Sequence, residues 1–247
     1  VENGADLTAD RLLIDRFDSR GLILDEGATA TAVEQLAIRH GDGVAGLQIH
    51  HGSTFSGDEI LLFDLEFNGF EAWGAETRAD LSNTVVTRTA HNETASVCAL
   101  HVDDATVDLD RLLASDNVGC AFRARGDEAG AELTDVSLHA TRADPAGFAL
   151  RTRLGASVTG TRVAVTESGH VGVAIGGDDG TQLDLDQAWI ADSVPGPLGD
   201  SGSGYGAFVS YGARLALTRS LVEGHPEEGL LADHDRHGIV VSNTEAT

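Results

Sequence analysis

Five times along this chain a glycine stands fourteen residues after an apolar anchor: Leu7 and Gly21, Phe55 and Gly69, Leu133 and Gly147, Val158 and Gly172, Leu215 and Gly229. Each anchor has the same followers. Five residues on come Leu12, Ile60, Leu138, Val163 and the polar exception Ser220; seven on come Ile14, Leu62, Ala140, Val165 and Val222. Leu22, Phe70, Phe148, Val173 and Leu230 follow the glycine directly, and Leu24, Ala72, Leu150, Ile175 and Ala232 stand two further on. The repeat is about 25 residues, the range of solenoid proteins.

Apolar residues two apart have strand spacing, not helix spacing. Each repeat therefore predicts about three short strands, and none has room for a helix of ordinary length. A glycine before the third strand suits a sharp corner, because it reaches positive φ without a Cβ penalty. Strand and corner in alternation predict an all-β, right-handed parallel β-helix of about nine to ten coils, with like residues stacked roughly 4.8 Å apart. A leucine-rich repeat has its own Leu and Asn spacing, which is absent. The units Gly46-Leu47-Gln48-Ile49, Val97-Cys98-Ala99-Leu100, Gly119-Cys120-Ala121-Phe122 and Gly206-Ala207-Phe208-Val209 complete the series.

The pattern covers residues 1–247 as one domain with no internal linker. The longest excursion, Asp192 to Gly204, predicts a surface loop, and a lesser one lies near Thr87 to Ser96. Val241-Ser242-Asn243-Thr244 repeats Leu81-Ser82-Asn83-Thr84, and neither end shows a cap. A solenoid needs caps to close its ends, so these residues are expected to be a section of a longer one, and its open ends could stack into filaments.

The net charge is −24, with 16 Arg and no Lys. Such a balance repels nucleic acid, anionic lipid and anionic polysaccharide, leaving cations, neutral glycans or basic proteins as expected partners. No apolar run approaches the length of a membrane span. Cys98 and Cys120 fall at one template position a coil apart, as a stacked buried pair or as a disulfide.

One acidic pattern occurs twice. Asp103 and Asp104 are followed by Asp108 and Asp110; Asp178 and Asp179 are followed by Asp184 and Asp186. The first two of each set fall in a turn, and the last two alternate with inward aliphatics and so face solvent together. Clustered outward carboxylates could supply oxygen ligands to Ca²⁺, or form a plain acidic face relieved by Arg111. The same outward columns hold Thr8 and Asp10, Ser56 and Asp58, Ser82 and Thr84, and Thr159 and Thr161, a polar face suited to a regular ligand such as a glycan. His50-His51 lies at a corner, His234-Asp235-Arg236-His237 after the last full third strand, and Asn92-Glu93-Thr94 forms a glycosylation sequon.

With units such as Gly172-Val173-Ala174-Ile175, the coil rhythm resembles that of the pectin-lyase-like superfamily over the whole chain. The resemblance implies polysaccharide lyases, glycoside hydrolases or non-catalytic surface segments. The Gly-Asp-Asp element of its hydrolases would fall on Gly177, Asp178 and Asp179, although their Arg-Ile-Lys stretch is missing. The calcium and basic residue of its lyases would fall on Asp184 and Asp186 with Arg162. The leading expectation is a non-catalytic extracellular or cell-surface segment, rigid or adhesive, stabilised by calcium. A carbohydrate-active enzyme is the alternative.

Overall fold

The computed structural model describes residues 1–89, 97–142, 147–194, 204–226, 229–233, 238–242 and 245–246. It is a parallel β-helix. One 16-stranded and one 9-stranded sheet contain all the named strands, and neighbouring strands run parallel. The nine strands of the smaller sheet are separated by about eight windings, slightly fewer than the nine to ten coils expected from the sequence. No helix among the described residues is long and apolar enough to cross a membrane.

The larger sheet bends lengthwise into two faces, so the winding has three. In the central coils the first and second faces share one continuous strand: Arg78–Thr89, Thr106–Ser115, Gly130–His139 and Ser157–Thr166. The bends lie at Asn83, Arg111, Asp135 and Arg162, each with φ between 47 and 57°. A second column of left-handed residues turns the chain off the second face: Arg16, His40, Asp64, Arg88, Asp116, Ala140, Glu167 and Asp192. These corners are made by side-chain-bearing residues, several of them the Asn, Asp and His that tolerate this region best.

The recurrent glycines do a different job from the one expected. Gly21, Gly46, Gly69, Gly172 and Gly206 do not have positive φ. They lie in a single column with Ala99, Ala121 and Ala149 on the third face. A Cβ on Gly172 would sit 2.6 Å from the Gly206 carbonyl oxygen and 2.9 Å from Ile190. Close stacking of windings against the second-face strands is what selects a small residue here.

This column also corrects the sequence alignment. Ala131, not Leu133, pairs with the anchors Val107 and Val158, and Ala149, not Gly147, joins the small-residue column. Val97-Cys98 and Gly119-Cys120 are likewise two residues out of place. A slip of two leaves every side chain on its original side, because strand side chains alternate with period two, and so the hydrophobic pattern does not register it.

The core is continuous. Phe55, Phe70, Phe122, Leu24, Ile49, Leu133 and Val173 are fully buried in one cluster. Thr84, expected outward, is inward, in the row of Ile60 and Leu112 and only 1 % exposed, while Asp80 and Ser82 take the outward places. Its hydroxyl donates to the Ser82 carbonyl at 3.2 Å, which satisfies it inside the core.

Cys98 and Cys120 are opposite each other in adjacent windings and form a disulfide, with Cα atoms 4.4 Å apart. They lie two residues before the column assigned from sequence. The bridge spans 22 residues. Its removal by Cys98→Ser with Cys120→Ser is expected to cost about 3 kcal/mol, chiefly by freeing the unfolded chain. Guanidinium denaturation of oxidised protein and of the double variant checks this; coincident curves would show that the bridge adds nothing.

Candidate functional site

The third face presents a line of interacting polar groups that crosses several windings. Between its buried apolar rows runs an outward row in strict register: Gln48, Glu71, His101, Arg123 and Arg151. Two residues further along each strand runs a second: His50, Trp73, Asp103, Arg125 and Arg153. Parallel pairing sets neighbours in a row roughly 4.8 Å apart. The rows form because each strand alternates in and out; Phe122 and Ala124 are buried on either side of Arg123, as are Leu150 and Thr152 around its neighbours Arg151 and Arg153.

The row is tied together by hydrogen bonds. The Gln48 amide donates to Glu71 at 2.6 Å, and Arg123 Nη2 lies 3.2 Å from His101 Nε2. Arg125 pairs with Asp103 at 3.1 Å. Other atoms in this face lack partners: Gln48 Oε1 and Arg123 Nε are buried and unbonded, in a residue only 2 % exposed in the case of Gln48. A guanidinium accepts no proton bond, so its approach to the His101 ring requires a neutral imidazole offering a lone pair.

Burial, with Arg123 and Arg125 adding to it, pushes the His101 imidazole down to about 3. Glu71 lies 3.8 Å from a ring that is 8 % exposed and faces two guanidinium groups. An imidazole with a depressed native pKa takes up its proton in the unfolded chain first. Stability is therefore full above the ordinary value near 6.5 and falls as the pH drops below it. His101 is expected to contribute about 2 kcal/mol to the loss at pH 5 relative to pH 7.5, and His50 and His225, whose imidazoles burial also lowers, add to it in the same window. His101→Gln should flatten this part of the profile, measured by guanidinium denaturation at each pH. The depressed carboxylates, Asp15 held down by His40 and Asp25 by His51, lose their partners' stabilisation only at lower pH, so the two windows separate. An equally steep profile in His101→Gln would contradict the assignment.

The residues selected from sequence lie elsewhere. Asp108 and Asp110 do face outward from the first face, beside a groove of about 510 Å³ also lined by Glu34, Asp58, Asp80 and Glu132. Arg78 bridges Asp108 at 2.7 Å and Asp80 at 3.2 Å. Burial, with Asp80 and Glu132 adding to it against Arg78, raises the Asp108 carboxyl above its ordinary value. Further along, Asp184 pairs with Arg214 at 3.0 Å and Asp186 with Arg219 Nε at 2.9 Å. Arg162 turns back to Asp135, its Nη2 at 2.8 Å, rather than forward to Asp184 or Asp186.

Asp103 ends a third-face strand, and Asp104, Asp178 and Asp179 lie in the turns that follow that face. Asp178 is used locally: its Oδ1 accepts from the Gly180 amide and, at 3.0 Å, from the Thr181 hydroxyl. Asp178 and Asp179 thus lie on a different edge of the winding from Arg162, and the structure does not bring these three together. It does bring Asp104 and Asp178 to one groove of about 600 Å³, with Asp127, Glu128, Leu154 and Trp73. The Trp73 ring packs edge-on against His50 and His51, and His51 Nδ1 bonds Asp25 at 2.6 Å.

Among the described residues no three His, Cys, Asp or Glu side chains are grouped to hold a metal ion. Arginines pair with three of the acidic residues expected to hold calcium, Asp108, Asp184 and Asp186. The His234–His237 segment, the sequon at Asn92 and residues 195–203 of the long loop lie outside the described residues.

Sequence reasoning passed over the third-face rows. A signal was present: Arg123-Ala124-Arg125 and Arg151-Thr152-Arg153 each place two arginines on one side of a strand, in a chain with 16 Arg in all. No family model, curated protein or solved structure matches the chain. The class that can be stated is a parallel β-helix.

Proposed function

We propose that this chain is a rigid, non-catalytic section of an extracellular or cell-surface β-helix of the pectin-lyase-like type, and that it holds a linear glycan along its third face. The observation that carries the reading is the row Gln48, Glu71, His101, Arg123 and Arg151, five polar side chains from five successive windings in one line. A straight, regularly spaced line of donors and acceptors matches an extended polymer better than a compact metabolite, which would sit in a closed pocket. Trp73 and Phe208, on the same face, offer rings for sugar stacking. The disulfide supports an oxidising compartment.

Binding to a panel of neutral, carboxylated and sulfated polysaccharides tests this, with product formation measured in the same samples. Retention of a polymer without new chain ends is expected, and loss of retention in Gln48→Ala with His101→Gln. Absence of binding across the panel would overturn the reading. A second reading, a polysaccharide lyase, draws on the placement of Arg151, half-buried over the Phe148 ring at 4.4 Å with no ion-pair partner among the described residues, where burial lowers its pKa. Appearance of unsaturated sugar ends, lost in Arg151→Ala, would establish it.

Calcium belongs to the proposal as a separate element, at Asp184 and Asp186 or at Asp108 and Asp110. It requires displacement of the arginines now bonded there. A rise in melting temperature in millimolar calcium over EDTA is the expected sign, and superimposed melts would remove calcium from the account.

A further inference from the structure

The net charge of −24 describes the molecule but not its third face. Arg123 pairs in register with Arg151, and Arg125 with Arg153, so four guanidinium-bearing side chains occupy a two-by-two array on adjacent strands. Stacking separates the pairs by roughly 4.8 Å, and the two positions on each strand by roughly 6.7 Å. Arg125 is anchored by Asp103 at 3.1 Å. Among the described residues neither Arg151 nor Arg153 has an ion-pair partner; Arg123 bonds only the His101 ring and has no acceptor for its Nε, although the charges of Asp103 and Glu71 favour it from a distance. Arg151 lies over the Phe148 ring, its Cζ 4.4 Å from the centroid.

Like charges held this close, on half-buried side chains, are costly unless something neutralises them. Elsewhere on this protein several arginines find carboxylates, as Arg78 does with Asp108, Arg162 with Asp135, Arg214 with Asp184 and Arg219 with Asp186, while Arg88 lies over the Phe63 ring and Arg142 bonds a backbone carbonyl. What sets this cluster apart in a chain with forty acidic residues is that its arginines stand beside one another in register rather than beside carboxylates. The charges acting on Arg151 are those of Arg153 and Arg123, both repulsive.

We infer that the Arg123, Arg151 and Arg153 array is a binding site for a tetrahedral oxyanion, a sulfate or phosphate group. A planar carboxylate offers two oxygens and is matched by one guanidinium fork. Three guanidinium groups approaching from separate corners of the array suit a group that offers acceptors in several directions. Carried on a sugar, such a group would anchor one residue of the glycan proposed above. The inference deepens that reading, but it does not need a polymer to be tested.

Isothermal titration with inorganic sulfate and with phosphate, against chloride at matched ionic strength, is the first measurement. Saturable binding by the intact chain is expected, weakened at least tenfold in Arg151→Gln and in Arg153→Gln. Because each variant removes a repulsion, both are expected to melt at or above the temperature of the parent, so loss of binding will not be loss of fold. Equal stabilisation of parent and variants by sulfate would mean general salting and would overturn the site.

The second measurement compares one oligosaccharide backbone in sulfated, carboxylated and neutral forms. Preference for the sulfated form, abolished in Arg151→Gln, is expected. Equal binding of the carboxylated form would overturn the tetrahedral assignment. Saturable sulfate binding with no glycan bound would leave the oxyanion site standing and sink the glycan reading. Glycan binding indifferent to sulfate and to Arg151→Gln would do the reverse.

Discussion

Val173→Asp is expected to abolish cooperative folding of the central windings. Val173 is fully buried, and its row neighbours are Leu150 and Ala207, both fully buried as well. A carboxylate placed there meets neither water nor a cation. It either stays charged without a partner or is held neutral against the pH, and the cost is about 5 kcal/mol in either case. In a winding whose stability comes from its neighbours, that loss spreads to the coils on both sides. Gln182→Asp is the control: Gln182 is exposed, one residue before buried Leu183, and its replacement is expected to matter by no more than about 0.5 kcal/mol. Soluble expression, limited proteolysis and guanidinium denaturation read the difference. Normal denaturation of Val173→Asp would mean that the inward rows are misassigned.

Gly172→Val is expected to be the second most damaging change, through backbone rather than charge. The added Cβ would meet the Gly206 carbonyl oxygen at 2.6 Å, Ile190 at 2.9 Å and Ser193 at 3.4 Å. Ile190 can rotate away. The carbonyl cannot, because its strand, Tyr205–Ser210, is held in the parallel ladder between two others. The windings must separate locally, at about 3 kcal/mol or more. Ala149→Gly, in the same column, is expected to cost only about 1 kcal/mol, since there the windings already accommodate a methyl and the loss is of backbone restraint. The ratio of the two effects, from denaturation midpoints, separates close stacking from conformational freedom as the reason for glycine in this column. Equal small effects would show that the column tolerates side chains.

The comparison of alanine with glycine bears on what was legible in the chain. Alternation of apolar residues at plus five and plus seven predicts strands, and the strands are there. The spacing of the glycines predicts a parallel winding, and the structure has one. The physical role of those glycines was not legible, since a corner and a close approach select the same residue. Nor was the register of the central coils, where insertions after Thr89 and Thr141 shift the pattern by two and parity is preserved. The corners themselves are made by Asn83 and Asp135, of types that tolerate a left-handed bend, but equally by Arg111 and Arg162, whose type does not announce one.

The candidate site shows the same division. Asp108 and Asp110, and Asp184 and Asp186, were placed on a common outward face by strand alternation, and they are on one. Their partners were not readable, because Arg78, Arg214 and Arg219 come from neighbouring windings or bend toward them across a corner. The third-face rows join residues between 22 and 30 positions apart, at irregular intervals set by the loops between windings.

Amino-acid order alone determined that this chain winds, because strand-spaced apolar pairs and a small residue recur together about every 25 residues, and like positions of such a repeat bury one another by stacking. Only the stacked structure decided which residues meet. Contact across a winding depends on loop length and on backbone bends, and neither leaves a mark on the period of the apolar pattern. That is why a −24 protein can hide an arginine cluster on one of its three faces.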